Sequence, residues 1–151
     1  MLERGMWMYF DDFEIDLSFA SRSRIVTNTD IEMFAMQTGA LNPMFLSDNY
    51  AQSHGRKQRM APGIMIFSMA LGMCHQSGLF DRVISIAEID SLKFLSVVHP
   101  GDEIIAITTP LKMRASKKDD RGVVMAKLIV KNQNEVVVLT GDVTFVVKKR
   151  F

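Results

Sequence analysis

One cysteine, Cys74, is all the thiol chemistry this 151-residue chain carries. A single thiol excludes an internal disulfide framework and fits a reducing compartment. Charge of either sign is equally scarce in surplus: 18 Lys and Arg against 17 Asp and Glu leave a formal net charge of +1. No global field therefore draws the chain to nucleic acid or to a membrane surface. The three His and one Cys lack metal-ligand spacing, so no metal is expected. There is no phosphate-binding Gly loop and no Gly-x-Ser-x-Gly elbow, so no nucleotide cofactor or nucleophilic serine is expected either. Long apolar runs are missing too. The nearest, Pro62 to Gly78, is interrupted by Ser68, Gly72 and His75 and falls short of the roughly 20 apolar residues a bilayer span needs. Met1 to Trp7 shows no basic stretch leading into an apolar one, so no signal peptide is expected and the compartment reads as cytoplasmic.

What is present fits a globular domain: 48% hydrophobic and 23% charged residues are ordinary values. The length is that of one domain over residues 1–151, enough to bury a core. Twelve methionines supply an adaptable apolar interior. The stretch that organises the rest is Pro62 to Gly78. It carries Ile64, Met65, Ile66, Phe67, Met69, Ala70, Leu71, Met73 and Cys74 most of the way round a helical wheel. A helix apolar on all sides must be enclosed, and Pro62 is well placed to open it.

Before it, Leu17 to Val26 reads as a strand with Leu17, Phe19 and Ile25 on one face. Thr29 and Glu32 form a capping-box pattern for a helix that Gly39 stops. Ala40 to Leu46 reads as loop, because Pro43 disfavours helical geometry at Asn42. Ser47 can cap a short turn from Asp48 to Ser53, and His54 to Met60 is a polar, basic loop. After Phe80 strands take over: Val83 to Ile89, Ser91 to Val98, Glu103 to Arg114, Gly122 to Lys131 and Val136 to Lys148. Short turns between them predict an antiparallel meander. One enclosed helix with about five such strands gives an α+β chain in the hot-dog arrangement, a curved antiparallel sheet wrapped round one long apolar helix. Such a sheet leaves long edges open, which are a hazard unless paired. A homodimer or higher oligomer joined edge to edge is therefore expected.

The segments TGALNPMFLSDNYA, RMAPGIMIFSMALG, FLSVVHPGDEI and VKNQNEVVVLTGDV, in that order, resemble the MaoC-like group of (R)-specific enoyl-CoA hydratases and dehydratases. The resemblance runs from about Tyr9 to Lys148. It implies a substrate that is an acyl thioester of coenzyme A or of an acyl carrier protein. In that group the first segment has the form Gly-Asp-x-Asn-Pro-x-His, and its Asp and His handle a water and the two protons of addition or elimination. The backbone N–H at the Gly opening the central helix steadies the oxygen that becomes enolate-like. Gly39, Asn42, Pro43 and Gly63 match this pattern. The Asp position, however, holds Ala40 and the His position Phe45, neither of which can transfer a proton.

The resemblance thus implies a thioester cradle without its acid–base pair: an acyl-CoA binding protein, or a non-catalytic partner of a paralogue that keeps the pair. The alternatives are an active hydratase with relocated acid–base groups, for which Asp48 and His54 are the nearest substitutes, and a thioesterase. Ala40, Asn42, Pro43 and Phe45 are expected to line the substrate site. Arg59, in the run His54 to Arg59, could meet phosphates or an acidic carrier surface. Ser68 could line an acyl tunnel or bond its own helix. His75 reads as a core or interface histidine, Cys74 as an inert core thiol, and His99 as a turn residue.

Overall fold

The computed structural model describes residues 8–151; the Met1 to Trp7 stretch read for a leader lies outside them. In chain order the elements are a 3-10 turn at Phe10–Asp12, β1 (Phe19–Ala20), β2 (Arg24–Ile25), α1 (Asn28–Thr38), α2 (Pro43–Leu46), α3 (Asp48–Ser53), α4 (Gly63–Gln76), β3 (Val83–Phe94), β4 (Glu103–Ala115), β5 (Arg121–Asn132) and β6 (Val137–Lys148). The strands form one antiparallel sheet in the order β1-β4-β5-β6-β3, with β2 also paired to β4. Alternation along β5 and β6 turns Val124, Ala126, Leu128 and Val130, and Leu139, Val143, Phe145 and Val147, into the core. Against that face lies α4, packed on β4 and β6 through Met65, Ile66, Phe67, Met69, Ala70, Met73 and Cys74. Each of the Met, Ile and Phe side chains among them contributes about 1.5–3 kcal/mol on leaving water. This is the hot-dog arrangement expected from the sequence, but only β4, β5 and β6 follow the expected meander: β3 pairs β6 at the far edge and not its chain neighbour β4.

Several local expectations need correction. The expected single strand from Leu17 to Val26 is split into β1 and β2, which pair β4 with one extra residue between Ala20 and Arg24. Ser21 sits in that bulge. Its N–H donates to the Ala106 carbonyl, and its Oγ accepts from the Ala106 N–H. The bulge shifts the alternation by one, so Phe19 and Ser21 turn inward as expected but beyond it Val26 is buried and Ile25 faces solvent; Leu17, ahead of β1, is exposed. The helix cap is Thr27 with Asp30, not Thr29 with Glu32: Thr27 Oγ1 accepts from the Asp30 N–H, and the Asp30 carboxylate from the Thr27 N–H. Ala40 to Leu46 is not all loop. Asn42 stays extended before proline, as expected, but its Oδ1 caps the turn of α2 that Pro43 begins. The two strands expected on either side of Asp90 are one, β3, which absorbs Ser91 in a left-handed conformation and a register shift rather than breaking there.

The helix α4 is not enclosed all round. Ile64, Ser68 and His75 form an exposed stripe, because the sheet covers only the face turned towards it.

Candidate functional site

A cavity of about 700 Å³ opens at the N-terminus of α4. Five stretches of the chain converge on it. Helix α1 contributes Phe34 and Thr38, and Gly39 then ends that helix at φ 74°, a left-handed turn that glycine makes without steric cost. The turn delivers Ala40 to the cavity wall, and α2 brings Phe45. The loop from Met60 leads into Gly63, Ile64 and Ile66 of α4, and the far wall comes from Phe94 to Val98 with Val138 and Leu139. Backbone bonds lock these stretches together: Ala61 N–H donates to the Val98 carbonyl at 2.8 Å, and Met60 N–H to the Met44 carbonyl at 3.2 Å.

The first N–H groups of any α-helix lack partners within it. At α4 the preceding residue is Pro62, whose side chain gives no cap. That end of the helix carries the positive pole of its dipole. Gly63 is glycine for a reason of space. A Cβ there would stand 2.5 Å from Cδ1 of Phe94, whose ring covers the start of the helix. No Asp, Glu, His, Cys, Lys, Arg or Tyr side chain lines the cavity among the described residues. A wall of this kind can enclose an apolar chain and offer N–H groups to an oxygen. It holds no group that titrates near neutral pH.

Of the residues singled out from the sequence, Ala40, Phe45 and Gly63 meet at this cavity, and the others stand elsewhere. Asn42 and Pro43 do not line it; they cap and open α2 and so aim Phe45 inward. Asp48 faces away, accepting the backbone N–H of Arg59 at 2.9 Å and its Nε at 3.2 Å. The backbone hydrogen bond from Arg59, aided by its guanidinium, holds the Asp48 carboxyl below the usual carboxylate value. Arg59 also reaches Glu32 at 3.2 Å, so its guanidinium ties α1 to α3. His54 is exposed, stacked on Tyr50 at 4.1 Å, with Nδ1 2.8 Å from the Tyr50 carbonyl. Ser68 lies on the exposed stripe of α4, outside the cavity lining. His75, on the same stripe, is exposed and edge-on to Phe80 rather than buried in the core. Cys74 is buried 3.5 Å from Thr108 Oγ1, and burial pushes its thiol up, as expected of an inert core thiol. His99 does more than turn the chain: its Nδ1 lies 2.9 Å from the Arg59 carbonyl, joining the rim loop to the turn before β4.

Sequence reasoning missed Phe34, Phe94, Ser96 and Val97 as cavity residues. The segment FLSVVHPGDEI was read only as strand and turn, and nothing local in it, or around Phe34, marks which residues meet the start of α4.

Residues 14–132 match the family model described as the MaoC like domain. A 3-hydroxyacyl-[acyl-carrier-protein] dehydratase of Arabidopsis thaliana mitochondria is 28% identical over 128 residues, covering 81% of this chain and 70% of that protein. Among solved structures, a monoamine oxidase regulatory protein from Archaeoglobus superposes with a TM-score of 0.85 at 31% identity, over 95% of this chain and 96% of that one. A MaoC-like dehydratase from Rhodospirillum rubrum gives 0.84 at 25% identity, over 95% and 99%. No helix among the described residues is long and apolar enough to cross a membrane.

Proposed function

The chain belongs to the MaoC-like domain family, and on that premise we propose that it binds an acyl thioester, on coenzyme A or an acyl carrier protein, without hydrating it. The observation that carries this reading is the apolar cavity at the start of α4, in whose wall no titratable side chain stands among the described residues. The hydrocarbon chain lies among Phe34, Phe45 and Ile66, and the thioester oxygen meets the N–H at Gly63. Hydration needs one group to take a proton from water and another to protonate the α-carbon, and each is worth about 10²–10⁴ in rate. At the two family positions for these groups stand Ala40 and Phe45. The second makes the wall greasier and favours holding a chain over transforming it. Asp48, turned to Arg59, and His54, stacked on Tyr50, count against a relocated pair.

The same reading takes residues 1–151 as one domain that works as a dimer, with itself or with a paralogue that keeps the acid–base pair. Strand β3 supports this. It is an edge strand 12 residues long, nowhere fully buried, and Ile84, Ile86 and Ile89 are each 37–43% exposed along it. An edge that long and apolar calls for a partner.

Two measurements on the purified protein test the proposal. Calorimetric titration with acyl-CoA thioesters of increasing length is expected to show saturable binding. Crotonyl-CoA absorbance is expected to stay constant beside the protein alone. Loss of the enoyl absorbance, abolished by Asp48→Ala or His54→Ala, would make the protein a hydratase and end this reading. Release of free thiol would make it a thioesterase.

A further inference from the structure

A second cavity, of about 440 Å³, lies at the other end of the sheet. Its floor follows one row across four strands: Arg114 of β4 pairs Val123 of β5, Val123 pairs Val146 of β6, and Val146 pairs Ser85 of β3. Side chains alternate along a strand. Val124 and Phe145 belong to the core under α4, so Val123 and Val146 stand on the opposite face. Roughly 30 Å of β3 separates Ser85 from Phe94 at the first cavity. Ile84, Arg121 and the hairpin residues Ser116, Lys117 and Lys118 complete the wall.

The near-neutral total charge hides a segregation here. Arg114, Lys117, Lys118 and Arg121 line this cavity, and no carboxylate does among the described residues. The hairpin also holds Asp119 and Asp120, two negative charges against those four positive ones. Asp120 is engaged by Arg121, through Nε at 2.7 Å and a second guanidinium nitrogen at 2.8 Å. Arg114 and Lys117 make no ion pair among the described residues, whereas Arg24, Arg59, Lys127, Lys131 and Arg150 elsewhere all do.

We propose that this pocket binds a phosphate-bearing small molecule, its phosphate held by Arg114, Lys117 and Lys118 and its body resting on Val123 and Val146. The volume is that of a small-ligand site, and the mixture of apolar floor and few charged groups is typical of one. A guanidinium fork matches phosphate oxygens, and lysines add point charges. A phosphate ester carries close to two negative charges at neutral pH and so balances the surplus better than one carboxylate. The site is separate from the acyl cavity and does not depend on the acyl-thioester reading. Ile84 also belongs to the open edge of β3, but Arg114, Lys117 and Lys118 stand on and just after β4, three strands away.

Calorimetric titration of the full chain with ADP, pyrophosphate and adenosine tests the assignment. ADP should bind saturably, one per chain, adenosine far more weakly, and added salt should weaken the ADP complex. Arg114→Ala and Lys117→Ala should each cost about two- to five-fold, the range of an exposed charge pair, and the two together more. All are exposed positions, so circular dichroism should not change. Arg22→Ala and Lys93→Ala, exposed cations outside the pocket lining, should bind ADP as wild type does. ADP held more tightly than pyrophosphate identifies an ester whose body uses the valine floor; equal affinity identifies free phosphate as the occupant. The proposal is overturned by absence of saturable ADP binding, by adenosine binding as tightly as ADP, or by the outside variants losing as much affinity as the pocket ones.

Discussion

The ring of Phe94 lies across Gly63 so closely that a side chain on that glycine would stand 2.5 Å from Cδ1 and 2.7 Å from Cε1. The contact joins the end of β3 to the start of α4 and closes one side of the cavity. Gly63→Ala must push the ring away, an overpacking that costs about 1–3 kcal/mol. Phe94→Ala in the same chain should recover most of that loss. Urea denaturation of wild type, both single variants and the double variant gives the coupling directly, expected at about 0.5–3 kcal/mol. Additive effects would mean that the ring does not rest on the helix start in solution.

Asp48 and Arg59 supply a pH dependence. The hydrogen bonds from Arg59 lower the Asp48 carboxyl below its ordinary 3.8. A carboxylate with a depressed folded-state value adds stability that is fully present above the ordinary value and is lost as pH falls through the depressed one. Asp48 is largely solvated, so the effect is small. Denaturant midpoints followed from about pH 6 down to about pH 2 should show wild type ahead of Asp48→Asn at the upper end and the two converging at the lower. Parallel curves would show that Arg59 does not hold the carboxylate.

The fold was legible because its strongest signals are long and redundant. The apolar run from Pro62 and the valine-rich alternation after Glu103 leave little choice of partner. The errors fell where one residue decides. An inserted residue near Ser21 left Phe19 inward but reversed Ile25 and Val26 beyond it, and periodicity has no means of registering a bulge. Thr29 with Glu32 fitted the capping pattern, but Asp30 makes Thr27 the cap through its own bonds to Thr27 and Arg24. In the site, Gly39 was readable as a helix stop, whereas Gly63 came from the family resemblance and its close approach to Phe94 only from the structure. Phe94 and Ser96 were not readable. Their role depends on β3 ending beside α4, a meeting of segments some thirty residues apart that local pattern does not record.

The open edge of β3 gives a prediction about assembly. If a second copy pairs along it, a charge placed among its exposed isoleucines should separate the copies without harming the core, since those side chains are already solvent-facing in one chain. Ile86→Lys and Ile89→Lys are expected to convert a dimer to a monomer in light scattering after gel filtration, with circular dichroism unchanged. A dimer that survives both substitutions would have its interface elsewhere.

On the proposed reading, supplying an acid–base pair tests what the cavity provides. Ala40 and Phe45 both line it, so Ala40→Asp and Phe45→His would set new carboxyl and imidazole groups in the wall that already holds Gly63. Neither alone should suffice, because two protons move in opposite directions during hydration and each positioned group is worth about 10²–10⁴. The double variant is therefore expected to consume crotonyl-CoA measurably, with each single variant at background. Acyl binding should weaken somewhat as Phe45 gives up apolar contact. The gain should also depend on the helix start, so Gly63→Ala added to the pair should abolish it. A folded double variant that binds acyl-CoA yet never hydrates it would mean the wall around Gly63 does not place the thioester where those two groups can reach it.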